Sequence, residues 1–132
     1  MVRSFLCAVL ALPLSAFFAF VGWHKAFSPI AELEKHGAFT VHLPEYLGRL
    51  FGVTEMLCAL ALLAGIAPRW GAAAKWGAVY VFLSQIVAGA IHVIYGEMQA
   101  LPANAQWMAM AAALFFSCVW KARADEFRDE AA

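Results

Sequence analysis

Four stretches of the chain, residues 4–23, 46–66, 76–95 and 102–120, consist almost wholly of apolar side chains. About 20 such residues, rising 1.5 Å each in a helix, cross the roughly 30 Å hydrocarbon core of a bilayer. Three of the stretches contain no Asp, Glu, Lys or Arg, and the second contains only Arg49, near its start, and Glu55. The pattern predicts an all-α integral membrane four-helix bundle. A water-soluble globule is not expected, because 64% of the 132 residues are hydrophobic and 14% charged, against roughly 45–50% and about 25% in soluble domains.

The connections set the expected topology. Residues 67–71 and 96–101 are too short for anything but tight antiparallel hairpins, which gives an up-down-up-down order within a single transmembrane domain over residues 1–132. Pro102 suits a first helical position, and Pro13, in the middle of the first span, should free the Val9 carbonyl and kink the helix. Arg3 followed by an apolar run, with Leu14-Ser15-Ala16 as a weak cleavage site, also resembles a signal peptide. The run continues well past that point, so an uncleaved span is expected.

Basic residues orient the bundle. Arg3, Arg69, Lys75, Lys121, Arg123 and Arg128 fall on one side, and Lys25, Lys35 and Arg49 on the other. The positive-inside bias then puts both termini of the multi-pass chain in the cytoplasm. Trp23, Trp70, Trp76, Trp107, Trp120, Tyr46 and Tyr95 lie near span ends, where interfacial anchors belong. The outer loop, residues 24–45, should hold a short lid-like helix with Ser28 as N-cap, Pro29 at its first position, an end at His36 and Gly37 just beyond. The tail, residues 121–132, mixes both signs and reads as a solvated helix end or a disordered segment.

Several chemistries drop out. Nine basic and nine acidic residues leave no basic excess for nucleic acid. Cys7, Cys58 and Cys118 stand apart in apolar stretches, without a CxxC pair, and read as small buried hydrophobes. His24, His36 and His42 are spaced by twelve and six residues, which matches no compact metal motif, so no metal site is expected. Nucleophile elbows, phosphate loops and dinucleotide glycine patterns are absent from the sequence.

The polar residues inside the spans are the informative ones. A charge within a span costs at least about 2.5–3.5 kcal/mol and must face protein, water or a partner. Glu55 lies nine residues into the second span, on the order of 13 Å below the outer boundary. Lys25, at the outer end of the first span and on one face with Phe18 and Gly22, is its natural counterion. Gln85 and His92 are two turns apart on the third span with Ala88 and Gly89 between them, which makes a polar groove of little bulk. Gly48 and Gly52 form a GxxxG spacing that permits close backbone approach. Lys25, Glu55, Gln85 and His92 thus converge from three helices on the outer half of the bundle.

Phe18, Gly22 and Lys25 in an F-x-x-x-G-x-x-K pattern, Gly52 and Glu55 in G-x-x-E ahead of an apolar helix, the hairpin at residues 67–71, and His92 late in the third span resemble, in this order, the DoxX-like family of small four-helix bacterial membrane proteins. The resemblance covers residues 18–120, and Arg3 loosely matches an arginine common near the start of the family's first helix. It implies a polar pocket at Lys25, Glu55 and His92. Some relatives resemble small subunits of quinone-linked sulfur oxidoreductases, others membrane partners in redox-stress complexes or assembly factors. The lack of paired cysteines argues against thiol redox chemistry by this chain.

Three functions compete. In the first, an outer-leaflet pocket binds a quinone or another lipophilic small molecule, with the chain as an accessory subunit of a membrane oxidoreductase system. Lys25 and His92 would donate to a carbonyl, Glu55 would hold Lys25, Gln85 would line the groove, and Trp23 and Phe51 would flank a ring. In the second, Glu55 and His92 are catalytic and exchange a proton with a lipophilic substrate, as in a double-bond isomerase. In the third, the polar cluster fixes helix register, and the protein acts as a structural or assembly partner of other membrane proteins.

Overall fold

The computed structural model describes residues 2–64, 66–67 and 70–130, and side chains over 5–64, 66–67 and 70–118. Arg69 and the side chains of Arg3, Lys121, Arg123 and Arg128, which carried much of the orientation argument, lie outside these bounds, as does the side chain of the expected anchor Trp120. The described residues form five α-helices and no strand: α1 (Val2–Phe27), α2 (Ile30–Lys35), α3 (Glu45–Ala64), α4 (Gly71–Ile94) and α5 (Leu101–Glu130). Short 3₁₀ turns at Phe39–His42 and Met98–Ala100 precede α3 and α5. By length and composition, Phe5–Phe27 within α1, together with α3 and α4, is apolar enough to cross a membrane.

The helix limits differ from the sequence expectation in ways that follow from local chemistry. α1 runs through Pro13 to Phe27, one turn beyond Trp23. α4 begins at Gly71, so its first turn includes Lys75, and α5 continues through the mixed-charge segment to Glu130. α2 is shorter than expected, because Ser28 does not cap it; its hydroxyl meets His24 Nδ1 at 2.9 Å instead. Gly37 ends the segment at φ +61°, its N–H donating to the Glu34 carbonyl and that of Ala38 to Leu33, the left-handed stop that glycine adopts without strain.

The buried positions explain the packing. Cys7, Ala11, Leu14, Phe18 and Lys25 on α1, and Gly48, Gly52, Glu55, Ala59 and Leu62 on α3, repeat at intervals that stay close to a seven-residue seam. Ala74, Ala78, Val81, Gln85, Ala88 and His92 do the same on α4. α1 packs on α3 and α5, and α4 on α3 and α5. In lipid, apolar contact alone gives helices little reason to associate, so close packing and interhelical hydrogen bonds matter more. Ser15 Oγ donates to the Ala59 carbonyl at 2.9 Å, Thr54 Oγ1 and Tyr80 Oη meet at 2.5 Å, and the Cys58 thiol donates to the Gly77 carbonyl at 3.3 Å.

The opposite faces are apolar and open. Leu57, Leu60 and Phe116 are 60%, 63% and 68% exposed, a surface suited to lipid and not to water. Trp23, Tyr46, Trp70, Trp76 and Tyr95 are exposed near helix ends. Trp107, expected among them, instead turns inward and stacks on Phe17 with ring centres 3.9 Å apart.

Candidate functional site

Two glycines build the site. A Cβ on Gly52 would lie 2.5 Å from the Ala26 nitrogen and 2.6 Å from the Gly22 carbonyl oxygen, and one on Gly22 would lie 2.7 Å from the Gly52 carbonyl oxygen. α1 and α3 therefore cross backbone against backbone. Gly48, the other half of the GxxxG spacing, faces Thr40 instead.

One turn beyond the crossing, Lys25 Nζ donates to Glu55 Oε1 at 2.6 Å. Glu55 is fully buried, its Oε2 has no hydrogen-bond partner among the described residues, and Lys25 is 8% exposed. The Lys25 ammonium also sits 4.5 Å from the centre of the Phe39 ring, within reach of a cation–π attraction. Arg49 secures the same helix end: its guanidinium donates to the Lys25 and Ser28 carbonyls at 3.1 and 2.5 Å and to Glu45 Oε1 at 3.1 Å. A cation is favourable there, where the last carbonyls of α1 lack helical partners.

Lys25 opens onto a cavity of about 500 Å³. α1 contributes Phe17, Phe18, Val21 and His24 to its wall, and α2 with the following turn covers it through Leu33, His36 and Phe39. α4 contributes Gln85, Ala88 and His92, and the start of α5 contributes Asn104 and Trp107. Gln85 is 6% exposed yet makes no hydrogen bond with any described residue, and Asn104 Nδ2 is buried without a partner. Buried carboxamides are normally satisfied.

The far wall is organised by Glu97. Gly96, at φ +75°, turns the chain back at the end of α4, and the Glu97 N–H donates to the His92 carbonyl at 2.8 Å. This return brings Glu97 Oε2 to 2.6 Å from His92 Nδ1, while Oε1 lies 3.0 Å from His42 Nε2. The His42 ring stacks on Tyr95 at 3.8 Å. Hydrogen bonds from His92, then His42, hold the Glu97 carboxyl below the usual carboxylate range. An ionised carboxylate only accepts, so both ring nitrogens facing it carry hydrogen.

Of the residues singled out in the sequence, Lys25, Gln85 and His92 line one cavity. Glu55 stands behind Lys25 and is not part of the wall. Phe51 is also outside it and meets Phe39 edge-on at 5.5 Å, so Phe39 occupies the place expected of Phe51. Trp23 is 59% exposed and packs on Phe27, off the cavity. Two residues along a helix means a rotation of about 200°, which turns Trp23 away from Lys25. The N–H that His92 was expected to offer a carbonyl is directed from Nδ1 to Glu97 instead.

Sequence reasoning missed Glu97, Phe39, Asn104 and the inward turn of Trp107. A signal existed for Glu97: a glycine just past the helix end returns the chain over its last turn, where His92 lies. Asn104 was visible as a polar residue one turn before Trp107, in a span whose other polar residues are Gln106 and Ser117. Nothing in the sequence marked Phe39. Among the described residues no three His, Cys, Asp or Glu side chains gather so as to hold a metal ion.

Residues 9–114 match the profile of the DoxX-like family. No curated protein and no solved structure matches the chain. The family match and the long apolar helices with their outward apolar faces make this a membrane protein. The matched stretch takes in most of the chain, including Phe18, Gly22, Lys25, Gly52, Glu55 and His92, and so the chain belongs to the DoxX-like family.

Proposed function

We propose that this protein binds a lipophilic small molecule with a neutral polar head, a quinone being the chemistry that fits best, in the cavity among Lys25, Gln85 and His92. The observation that carries the reading is Gln85: a buried carboxamide on the wall of a mostly apolar cavity, with no hydrogen-bond partner among the described residues. Asn104 Nδ2, on the same cavity wall, repeats the pattern. Ligand pockets are typically apolar spaces of about 300–1,000 Å³ with a few convergent polar groups. Lys25 and the carboxamides address carbonyl oxygens, and Phe17, Phe39 and Trp107 flank a ring.

The setting is a single transmembrane domain, an up-down-up-down four-helix bundle in a bacterial inner membrane with cytoplasmic termini. The pairing of Gly22 with Gly52 and of Ser15 with Ala59 supports an antiparallel α1 and α3, and Thr54–Tyr80 with Cys58–Gly77 an antiparallel α3 and α4. The cavity then lies in the outer half. Service as an accessory subunit of a membrane oxidoreductase is the role in which such a site would be used. Proton exchange between Glu55 and a substrate has less support, because Lys25 stands between Glu55 and the cavity.

The test is equilibrium binding of decylubiquinone to the protein in lipid nanodiscs, corrected for empty discs. Saturable binding that Gln85→Leu weakens about tenfold, the worth of one or two hydrogen bonds, is the expected result. Uptake equal to that of empty discs would refute the reading.

A further inference from the structure

His92 has two ring nitrogens with different surroundings. Nδ1 is 2.6 Å from the Glu97 carboxylate, which obliges it to carry a hydrogen. Nε2 takes no hydrogen bond from any described residue and is not sealed by packing, and the ring belongs to the cavity wall. In the neutral ring Nε2 is then a bare lone pair. Glu97 is itself steadied by His42 from the segment ahead of α3, so the ring's orientation is set from outside the cavity.

The other polar groups around the space complete the pattern. The Lys25 ammonium and Asn104 Nδ2 only donate, and Gln85 can do either. The lining carries Glu97 and Glu32 against Lys25, whose charge is already matched by Glu55. Nothing there favours an anionic head. His24 and His36 lie on the same wall but hold Ser28 and Glu32.

We propose that Glu97 is a positioning residue that fixes His92 with hydrogen on Nδ1, so that Nε2 accepts a hydrogen bond from a ligand hydroxyl. The site accordingly selects a lipophilic phenol or alcohol, including the hydroquinone form of a quinone, over its O-alkylated counterpart. The inference rests on the ligand cavity proposed above and adds which end of the ligand faces α4.

Two measurements decide it. The first compares 4-hexylphenol with 4-hexylanisole, which differ by one O-methyl group, as ligands of the protein in nanodiscs. The unaltered protein should bind the phenol about tenfold tighter. Glu97→Gln, whose carboxamide no longer enforces one tautomer, should bring the two within about threefold. A preference caused only by exclusion of the methyl group would survive that substitution, and its survival would overturn the inference. Equal binding of both probes by the unaltered protein would overturn it while leaving the cavity reading intact. Binding of neither would overturn both.

The second measurement needs no variant: nitrogen-15 spectra of labelled histidine, recorded above the histidine titration and assigned by loss of a signal in His92→Gln. Hydrogen on Nδ1 and a bare Nε2 are expected for His92. Hydrogen on Nε2 would overturn the inference whatever the probes do.

Discussion

The ammonium of Lys25 stands between the sealed carboxylate of Glu55, 2.6 Å away, and the cavity that it helps to line. One side of it is fixed by a counterion and the other is available to a ligand. Removing either charge leaves the other buried alone, which typically costs about 3–5 kcal/mol, whereas apolar replacement of both is often close to neutral. Lys25→Met and Glu55→Leu should each lower the unfolding temperature in detergent sharply, and the double variant should recover most of the loss. The recovered double variant should still fail to bind ligand, since Lys25 is gone from the wall.

The glycine crossing makes a graded prediction. Gly52→Ala places a methyl 2.5 Å from backbone and should destabilise the fold by about 1–3 kcal/mol or more. Gly48→Ala meets the Thr40 side chain and carbonyl at 3.2 Å and should cost less. Gly71→Ala meets nothing within 4 Å and should be near neutral. Thermal melts of the three variants, ranked in that order, check it.

How much of this was legible in the sequence depends on the kind of interaction. The three long apolar helices were visible because bilayer burial penalises charge so heavily that two of the stretches behind them contain none, and Glu55 was visible as the exception in the third. Its pairing with Lys25 followed from helical phase. The same reasoning placed Trp23 and Phe51 in the pocket by proximity along the chain, where side-chain direction decides: Trp23 points off α1, and Phe39 comes from a loop whose path no periodicity encodes. The Gly48–Gly52 spacing was readable, but its actual partner, Gly22, required two helices in register. Glu97 gained its meaning only from the turn at Gly96, which lays it over His92.

Aromatic lining and aromatic surface should separate cleanly. Trp107 stacks on Phe17 at the cavity wall, and such pairs are worth about 0.5–1.5 kcal/mol beyond their buried area. Trp107→Ala should weaken decylubiquinone binding up to roughly tenfold. Trp23→Ala should leave binding unchanged, because the ring packs on Phe27 outside the cavity. Binding isotherms of both variants in nanodiscs test the assignment.

The Glu97 bridge gives a pH signature of known sign. Its carboxyl lies below the ordinary 4.5 in the folded protein, chiefly through the bond from His92 and then that from His42. A lowered carboxylate value stabilises the fold fully above the unfolded value, and the benefit disappears as pH falls through the folded one. The protection of residues 38–44 against hydrogen exchange, taken relative to the intrinsic amide rate at each pH, should therefore be steady above about pH 4.5 and fall below it. Glu97→Gln should raise exchange at neutral pH and flatten the acid response; an unchanged acid response would assign it to another group.

The backbone contact between Gly22 and Gly52 also divides the molecule mechanically. Where two main chains touch, no rotamer change can widen the seam, so α1 and α3 behave as one strut. The cavity's remaining walls, α2, α4, the turn at Glu97 and the first turns of α5, stand outside that strut. A doorway for a molecule arriving from the bilayer would then lie between the strut and α5, where Phe20 and Ala103 line the cavity and are exposed.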